Sequence, residues 1–408
     1  MKLNLRKTVE IIVFLCAITT SGSALSTTMF SSWTIPLLIL SLGLALLIKP
    51  CVVMSSRKLC YVSIWLIIGG LSTVVNFSAE NFNSYVHMAI VVVIAMLISQ
   101  RFSLNEMIDI FLSFMRIVTT IAIFMWLVTD ILGINPPLPE VKNFNGAIYQ
   151  TGIIWNRYRY SLNYSHRIIG FFWEPGLFAT YLSIALIIEF LKHEYYRKMD
   201  VILFVIAILL TQSSAGYLLL CLVLFIPATN YDGKWKKLVI LSLGIFTVIV
   251  AVFSESIYST IIGSSNPVFQ KFDFSSGNGA SRLLSLQANY SMLLENPLFG
   301  LGLAGANNTY ALRMSLFGQA AQTSTSFLYA AAFGIFGFVY TLVFILSIAR
   351  MAKIKKITKI SAIILIVIVL NIINKEPHTL FLFTYSIWCY LLNLLEGGEE
   401  QASNSNSI

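Results

Sequence analysis

Long apolar stretches separated by short polar ones dominate the chain. They lie near residues 9–26, 33–48, 61–77, 85–99, 110–132, 168–191, 201–213, 215–229, 238–254, 321–349, 360–373 and 378–394. A helix needs roughly 20 residues to cross the hydrocarbon of a bilayer. Lipid offers no hydrogen bonds to exposed backbone, so such runs must be helical. The pattern predicts an all-α polytopic membrane protein with about 12 transmembrane helices.

Composition supports this class. Hydrophobic residues make up 57% of the 408 residues and charged residues only 11%, whereas a soluble domain carries roughly a quarter charged residues. The net charge of +9 is scattered between apolar runs, where basic residues set membrane topology. We therefore expect membrane lipid around the chain and no nucleic-acid partner. The five cysteines lie in predicted spans or beside their cytoplasmic ends, so no disulfide is expected.

Basic clusters orient the predicted spans. Those near residues 2, 49, 192, 234 and 350 should face the cytoplasm. This predicts a single membrane domain (1–395) with both termini cytoplasmic and a disordered cytoplasmic tail (396–408). Two long periplasmic loops (about 133–167 and 255–320) are expected to contain short amphipathic helices. The first apolar segment is similar to a signal peptide, but further spans follow at once, so we expect it to be retained.

The stretch 201–229 has a basic cluster on each side and must therefore turn round within the membrane. Residues 211–216 (TQSSAG) supply the small and polar side chains for that turn. Polar backbone at this depth is tolerated only inside protein or beside a water-filled cavity. Two short helices are predicted, joined by a turn that lines a cavity.

Arginine outnumbers lysine in the two predicted outer loops, unlike in the cytoplasmic clusters. The loop arginines are Arg157, Arg159, Arg167, Arg282 and Arg313. Arginine's rigid fork of donors suits bidentate binding of phosphate or carboxylate. Each one alone is equally explained by solvation or by pairing with loop acids such as Glu140 and Glu295. For the set, an anion site is favoured.

Glu174 stands near the outer end of the predicted span 168–191. A carboxylate within the hydrocarbon is costly and marks a functional site by default. Pro175 is expected to kink the helix there and open a polar pocket. The alternative is a structural ion pair between Glu174 and Arg167 or another loop arginine.

Arg282 begins a predicted amphipathic helix that ends at Asn296-Pro297. Its apolar positions recur at helical spacing: Leu283, Leu286, Tyr290, Leu293 and Leu294. Such a helix is expected on the outer membrane surface, either as part of a site or only as an interfacial helix with a snorkelling arginine. Arg116 receives no role, since it either snorkels or pairs with Asp109.

Metal and nucleotide chemistry find no support in the motifs. The histidines are far apart in sequence, and no HExxH, CxxC or phosphate-loop spacing occurs. We expect no metal and no cofactor.

Several sequence pieces occur in a characteristic order. They are 167–176 (RIIGFFWEPG), 210–216 (LTQSSAG), 282–302 with its NPLFGLG ending, 334–337 (GIFG), and Arg159 eleven residues before Gly170. Within a twelve-span layout they resemble the Wzy-type O-antigen polymerase family, of the O-antigen polymerase and ligase superfamily. The resemblance covers about residues 155–340.

The resemblance implies a metal-independent glycosyltransferase of lipopolysaccharide biosynthesis in the bacterial inner membrane. Such a polymerase moves a growing glycan from undecaprenyl diphosphate onto the non-reducing end of an incoming undecaprenyl-diphosphate-linked oligosaccharide repeat unit at the periplasmic face. The family also usually works with a separate chain-length regulator protein.

Residue roles follow from the resemblance together with the charges. Arg282 would stabilise charge on the leaving diphosphate, and Glu174 would deprotonate the acceptor hydroxyl or else orient the arginines. The remaining loop arginines would bind the diphosphate and substrate: Arg157, Arg159, Arg167 and Arg313.

Two other functions stay open. The O-antigen ligases resemble the polymerases but carry an important histidine in the second long loop, and this chain has no histidine from 194 to 377. A flippase or other transporter would usually show paired, repeated halves, and we find no such symmetry. Polymerase is the favoured reading, for O-antigen, capsule or a related polymer.

Overall fold

Helices occupy most of the predicted apolar segments that the computed structural model describes, and residues 168–174 are the main exception. The described residues are 5–27, 34–47, 56–142, 148–152, 154–158, 166–192, 197–230, 280–315, 322, 324–375 and 380–395. In chain order the helices are α1 (Leu5–Thr19), α2 (Thr34–Leu47), α3 (Ser56–Val75), α4 (Ala79–Arg101), α5 (Leu104–Trp126), α6 (Pro175–Leu191), α7 (Lys198–Leu210), α8 (Ser214–Asn230), α9 (Ala280–Glu295), α10 (Leu303–Ser315), α11 (Thr325–Phe333), α12 (Val339–Ile354), α13 (Lys359–Ile373) and α14 (Leu382–Leu395).

Within that part of the chain, four helical stretches are long and apolar enough to cross a membrane. They are Ser56–Val75, Ala79–Arg101, Leu104–Ile131 and Thr325–Ile354; α2, α6, α8 and α13 are shorter apolar helices. These helices support a helical membrane protein, and the count of twelve spans stays a prediction. The predicted span 238–254 and the tail 396–408 lie outside the described residues.

Contacts between helix ends divide the bundle into two ends. At one, the backbone N–H of Phe383, at the start of α14, donates to Ser21 Oγ just after α1, at 2.9 Å. At the other, the hydroxyl of Tyr390 in α14 donates to the carbonyl of Phe102, between α4 and α5, at 3.1 Å. The first end gathers the chain segments that the basic clusters assign to the outer side, and we call it the site end.

Aromatic packing forms the centre of the bundle. Trp65 of α3 is fully buried, with ring centroids 5.0 Å from Tyr329 and 6.4 Å from Trp388. Tyr340 stacks on Trp388 with centroids 6.0 Å apart. Aromatic pairs in these geometries add to the stabilisation that burial gives, so α3, α11, α12 and α14 form one packed unit.

The first long loop contains a small sheet, and the prediction of short amphipathic helices is wrong there. Strands β1 (Glu140–Lys142), β2 (Ile148–Thr151) and β3 (Asn156–Tyr158) pair antiparallel in the order β1-β2-β3. Their β-prone residues pack on one face, where Tyr149 is fully buried against Val141 and Ile169. The sheet is thereby anchored on residues that follow it in the chain.

Helix α9 is confirmed, and it ends at Glu295, directly before Asn296-Pro297. Its predicted apolar face is divided, however, because Leu293 is buried whereas Tyr290 and Leu294 are exposed. The buried face holds Ser285, Ala288, Asn289 and Met292 instead. Polar residues can occupy it because α9 packs against α10 and α11, where Asn289 finds a hydrogen-bonding partner.

Arg116 pairs with Asp200, not with Asp109. Its Nε and second amino group lie 2.9 and 2.6 Å from the two carboxylate oxygens. Bidentate pairs of this kind are the strong ones, so Arg116 ties α5 to the first turn of α7. Asp109 lies 3.8 Å from Lys192 instead.

Candidate functional site

Residues 167–174 cross the site end of the bundle between the small sheet and the helices. The carbonyl of Gly170 accepts hydrogen bonds from both the backbone and the side-chain amide of Asn156 in β3, each at 2.9 Å. The hydroxyls of Tyr149 and Tyr158 donate to the carbonyl of Trp173 at 2.9 and 2.8 Å. The sheet therefore holds this stretch, which we call the 167–174 segment, in one conformation.

The predicted turn within 201–229 is confirmed, because α7 ends at Leu210 and α8 begins at Ser214. Arg167 is buried and donates from Nε to the carbonyl of Thr211 in this turn, at 2.8 Å. The backbone N–H of Ile168 donates to the carbonyl of Leu210. Arg167 thus joins the 167–174 segment to the turn, and its predicted diphosphate contact stays a prediction.

Glu174 is the residue that precedes α6, and Pro175 is its first residue. The predicted kink at Pro175 is therefore wrong. Proline fits the first helical position because its missing N–H would be unpaired there anyway. The apolar residues before it, counted into a span from the sequence, are covered by the sheet, by residues 22–24 and by aromatic side chains of α5 and α6.

The lack of a side chain at Gly176 lets Glu174 approach Lys375, a residue that the sequence did not predict to belong to the site. A Cβ placed on Gly176 would lie 2.7 Å from Glu174 Oε1 and 2.5 Å from Lys375 Nζ. The carboxylate and the ammonium therefore face each other over a position that has no side chain. Lys375 is buried, and its ammonium donates to Thr180 Oγ1 in α6 at 3.3 Å. A buried cation of this kind is kept only where partners surround it.

Lys375 could have been found from the sequence. It follows an apolar segment at a predicted outer end, but it lies outside the two long loops whose arginines predicted an anion site. Its neighbour Asn374 accepts hydrogen bonds at Oδ1 from Ser324 Oγ (3.0 Å) and the backbone N–H of Ser326 (2.9 Å). The end of α13 is thereby joined to the start of α11.

Further hydrogen-bonded polar residues lie between the start of α11 and α9. The amide of Asn289 donates to Gln322 Oε1 at 2.8 Å, and Gln322 donates back to Asn289 Oδ1 at 3.1 Å. Arg282 stands three residues before Ser285 and seven before Asn289, so all three positions share one face of α9. On this face the side chains of Ser285 and Asn289 are buried.

Tyr310 of α10 belongs to the same buried polar region. Burial raises the pKa of its hydroxyl, and a hydrogen bond with Ser285 partly opposes that rise. Tyr310 is therefore a neutral hydroxyl that packs α10 against α9.

Asp130, just beyond α5, is in contact with a second group of polar residues. Its Oδ1 lies 3.0 Å from an amino group of Arg157 and 2.8 Å from His166 Nδ1, and its Oδ2 accepts the hydroxyl of Thr129 at 2.6 Å. Arg157 also donates to Asn135 at 3.0 Å. The first loop is thereby tied to the end of α5 through charged groups.

Arg313 pairs with a loop acid, which was one of the alternatives predicted from the sequence. Its amino groups lie 2.6 Å from Glu295 Oε2 and 2.5 Å from Ser291 Oγ. Both partners belong to α9, so Arg313 joins α10 to α9. Its predicted contact with substrate is untested, and Arg159 lies outside the described residues.

Two of the glycine motifs pack backbone against backbone. The backbone N–H of Ile335 donates to the carbonyl of Pro297 at 2.8 Å, and that of Gly302 donates to the carbonyl of Ala332 at 2.9 Å. Gly300 and Gly334 have φ of 62° and 66°, a region that favours glycine. We call this contact between residues 296–302 and 334–337 the glycine interlock. It positions the turn after α9 without offering any side chain to a ligand.

No group of three or more His, Cys, Asp or Glu residues in the described part of the chain is arranged to hold a metal ion. The side chains brought together at the site end are suited to binding anions and sugar hydroxyls through cations, carboxylates and amides.

Comparison with known proteins bears on one part of the chain. No curated protein matches the sequence. A family model described as O-antigen ligase matches residues 201–345, which run from α7 into α12 and include α9 and the glycine interlock. The match supports the O-antigen ligase and polymerase superfamily and a glycosyltransferase-like membrane enzyme, without separating polymerases from ligases.

Proposed function

We propose that this chain is an O-antigen polymerase of the Wzy type, working at the periplasmic face of the inner membrane. It would transfer a growing glycan from undecaprenyl diphosphate onto the non-reducing end of an incoming lipid-linked repeat unit. The observation that carries the proposal is the gathering of Glu174, Lys375 and Arg167 at the end of the bundle to which the buried polar residues of α9 are also joined. That gathering occurs in a chain whose α7–α12 region matches the O-antigen ligase family.

A cavity beneath Lys375 supports a lipid-linked donor. It has a volume of about 260 Å³ and a nearly all-apolar lining drawn from α1, α5, α6, α12, α13 and α14. Thr180, the partner of Lys375, lines it, and so does Ile373 near the end of α13. Its lining extends to Leu104 and Leu191 at the other end of the bundle. An isoprenoid chain needs such an apolar space, and its diphosphate needs cations where the space ends.

The reaction requires charge stabilisation more than covalent chemistry from the protein. The acceptor hydroxyl oxygen forms a bond to the anomeric carbon of the donor sugar while that carbon's bond to the diphosphate breaks. The electron pair of the broken bond leaves with the diphosphate. Arg282 and Lys375 would stabilise the negative charge that develops there. Glu174, which faces Lys375, would hold the ammonium in place.

The ligase is the second candidate, because the match to the O-antigen ligase family model does not separate ligases from polymerases. Ligases transfer finished glycan to lipid A-core. The lack of any histidine from 194 to 377 supports the polymerase instead, since the ligase resemblance implies a histidine in the second long loop.

Deleting the gene from its host separates the candidates. If the chain is a polymerase, lipopolysaccharide from the deletion strain should lose its ladder on a gel and keep a band of core plus one repeat unit. Wild type should restore the ladder, and Arg282→Ala should not. Loss of a diphosphate-binding charge from a transition state lowers the rate by about 100-fold or more.

The control is Arg57→Ala, because Arg57 is an exposed arginine at the start of α3, outside the site end. It should restore the ladder, and membrane levels of each variant are checked by immunoblot. Bare core in the deletion strain would contradict the polymerase and indicate a ligase or flippase. Those two differ in the membrane face on which the lipid-linked glycan accumulates.

A further inference from the structure

Three neighbouring side chains hold the carboxylate of Asp130 in place. It lies in a π-helical turn, Leu127–Ile131, that continues α5, and π turns within helices occur frequently at functional sites. Its side chain is only 6% exposed, yet Arg157, His166 and Thr129 all contact it. The guanidinium of Arg157 balances the negative charge of this carboxylate.

His166 is held at two points. Its Nδ1 faces Asp130 Oδ1 at 2.8 Å, and its carbonyl accepts the indole N–H of Trp126 at 3.0 Å. A carboxylate at Nδ1 places the proton of a neutral imidazole on that nitrogen, which leaves the lone pair on Nε2. The ring is 31% exposed, so a substrate hydroxyl can approach it.

His166 is next in sequence to the segment that carries part of the proposed transfer site. It directly precedes Arg167, the first residue of the 167–174 segment, which ends at Glu174. The proposed reaction needs an acceptor for one proton, and Glu174 already faces the ammonium of Lys375. The ring of His166 instead contacts a carboxylate, that of Asp130.

From this geometry we propose that His166, oriented by Asp130, is the general base of the transfer, an inference that rests on the proposed function. As the acceptor oxygen bonds to the anomeric carbon, its proton passes to His166 Nε2. The electron pair of the breaking bond leaves with the diphosphate. The imidazolium then returns its proton to the released diphosphate or to water. Asp130 acts as a positioning residue that fixes the tautomer and stabilises the imidazolium.

The competing explanation is that the Asp130 cluster only fastens the first loop to α5. His166→Asn distinguishes the two, because the amide of asparagine can donate to Asp130 much as Nδ1 does but cannot accept a proton. His166→Ala removes both functions. Under a fastening role alone, asparagine should retain activity and alanine should not.

The test uses the full-length protein in liposomes with lipid-linked repeat units extracted from the deletion strain. Initial rates of polymer formation at several substrate concentrations give kcat and KM. His166→Asn should lower kcat by about 100-fold or more, the usual contribution of a general base, with KM changed by less than about three-fold. Asp130→Asn should also lower kcat. The matched control, His87→Asn in α4, should behave as wild type.

A kcat for His166→Asn within about ten-fold of wild type, in protein of normal thermal stability, would overturn the inference and leave the proposed function standing. Wild-type protein that forms no polymer from these repeat units would overturn the proposed function, and the role of His166 with it.

Discussion

Glycine occurs in two regions of the site end, and the two regions differ in the kind of atoms that lie next to the glycine. In the glycine interlock, a Cβ on Gly334 would lie 2.4 Å from the carbonyl carbon and oxygen of Leu298. At the start of α6, the three atoms nearest to a Cβ on Gly176 belong to the tips of Lys375 and Glu174. In the first region backbone faces backbone, and in the second two charged side chains occupy the free space.

This difference separates structural from functional motif residues. Backbone atoms cannot move aside without unfolding the turn they belong to, whereas the ends of lysine and glutamate side chains can rotate. The interlock residues therefore maintain the fold that holds α9 near α11. Gly176 maintains the relative position of two charges. Both glycines belong to sequence segments that resemble the O-antigen polymerases, but we expect their replacement to have different consequences.

Gly334→Ala should give the largest effect on the folded protein. Besides the contact with Leu298, Gly334 has φ 66° and ψ −158°, a region open essentially to glycine alone. We expect a loss of about 4 kcal/mol or more in stability. Membrane levels and thermal unfolding in detergent measure it.

Its control is Gly305→Ala in α10, where the nearest atom to an added Cβ is 3.5 Å away. Alanine favours a helix over glycine by about 1 kcal/mol, so this variant should be at least as stable as wild type. Normal folding of Gly334→Ala would show that the interlock can open, and the distinction drawn between the two regions would fail.

Gly176→Ala should abolish activity while the protein still folds. The new methyl group would push the ammonium of Lys375 away from the carboxylate of Glu174, and misplacing a group by about 1 Å can cost 100-fold in rate. Stability should change by no more than about 1 kcal/mol, since alanine suits a helix and only side-chain tips must move. Ladder formation and thermal unfolding check the two parts separately.

Gly43→Ala in α2 is the matched control, because no atom lies within 4 Å of its added Cβ. A normal ladder from Gly176→Ala would contradict the importance of the facing charges. Unfolding of Gly176→Ala would instead show that the start of α6 is packed as tightly as the interlock.

The sequence predicted what depends on local pattern. Apolar runs predicted the helices, residues 211–216 predicted the turn between α7 and α8, and the spacing after Arg282 predicted α9 with its end at Pro297. Each of these rests on neighbours within a few turns of one helix. The start of α6 was misplaced because the 167–174 segment is as apolar as a span, although the sheet, residues 22–24 and α5 cover it.

What the sequence could not predict depends on distant partners. Asp130 and His166 are 36 residues apart, and Lys375 meets Thr180 across 195 residues. The strands of the small sheet are three or four residues long, too short for an alternating pattern to stand out. Pairing across such separations is set by how the helices pack, which no local motif encodes.

Arg313→Ala should give the smallest effect. Its pair with Glu295 is partly exposed, at 32% and 54% for the two side chains, and pairs of this kind contribute about 1 kcal/mol or less. If Arg313 only joins α10 to α9, Arg313→Ala and Glu295→Gln should lower thermal stability equally and leave the ladder intact. If Arg313 binds the diphosphate, only the arginine variant should lose the ladder, because Glu295→Gln keeps the cation. The second result would extend the site along α10 and show that even a paired, partly exposed cation at this end of the bundle serves the substrate.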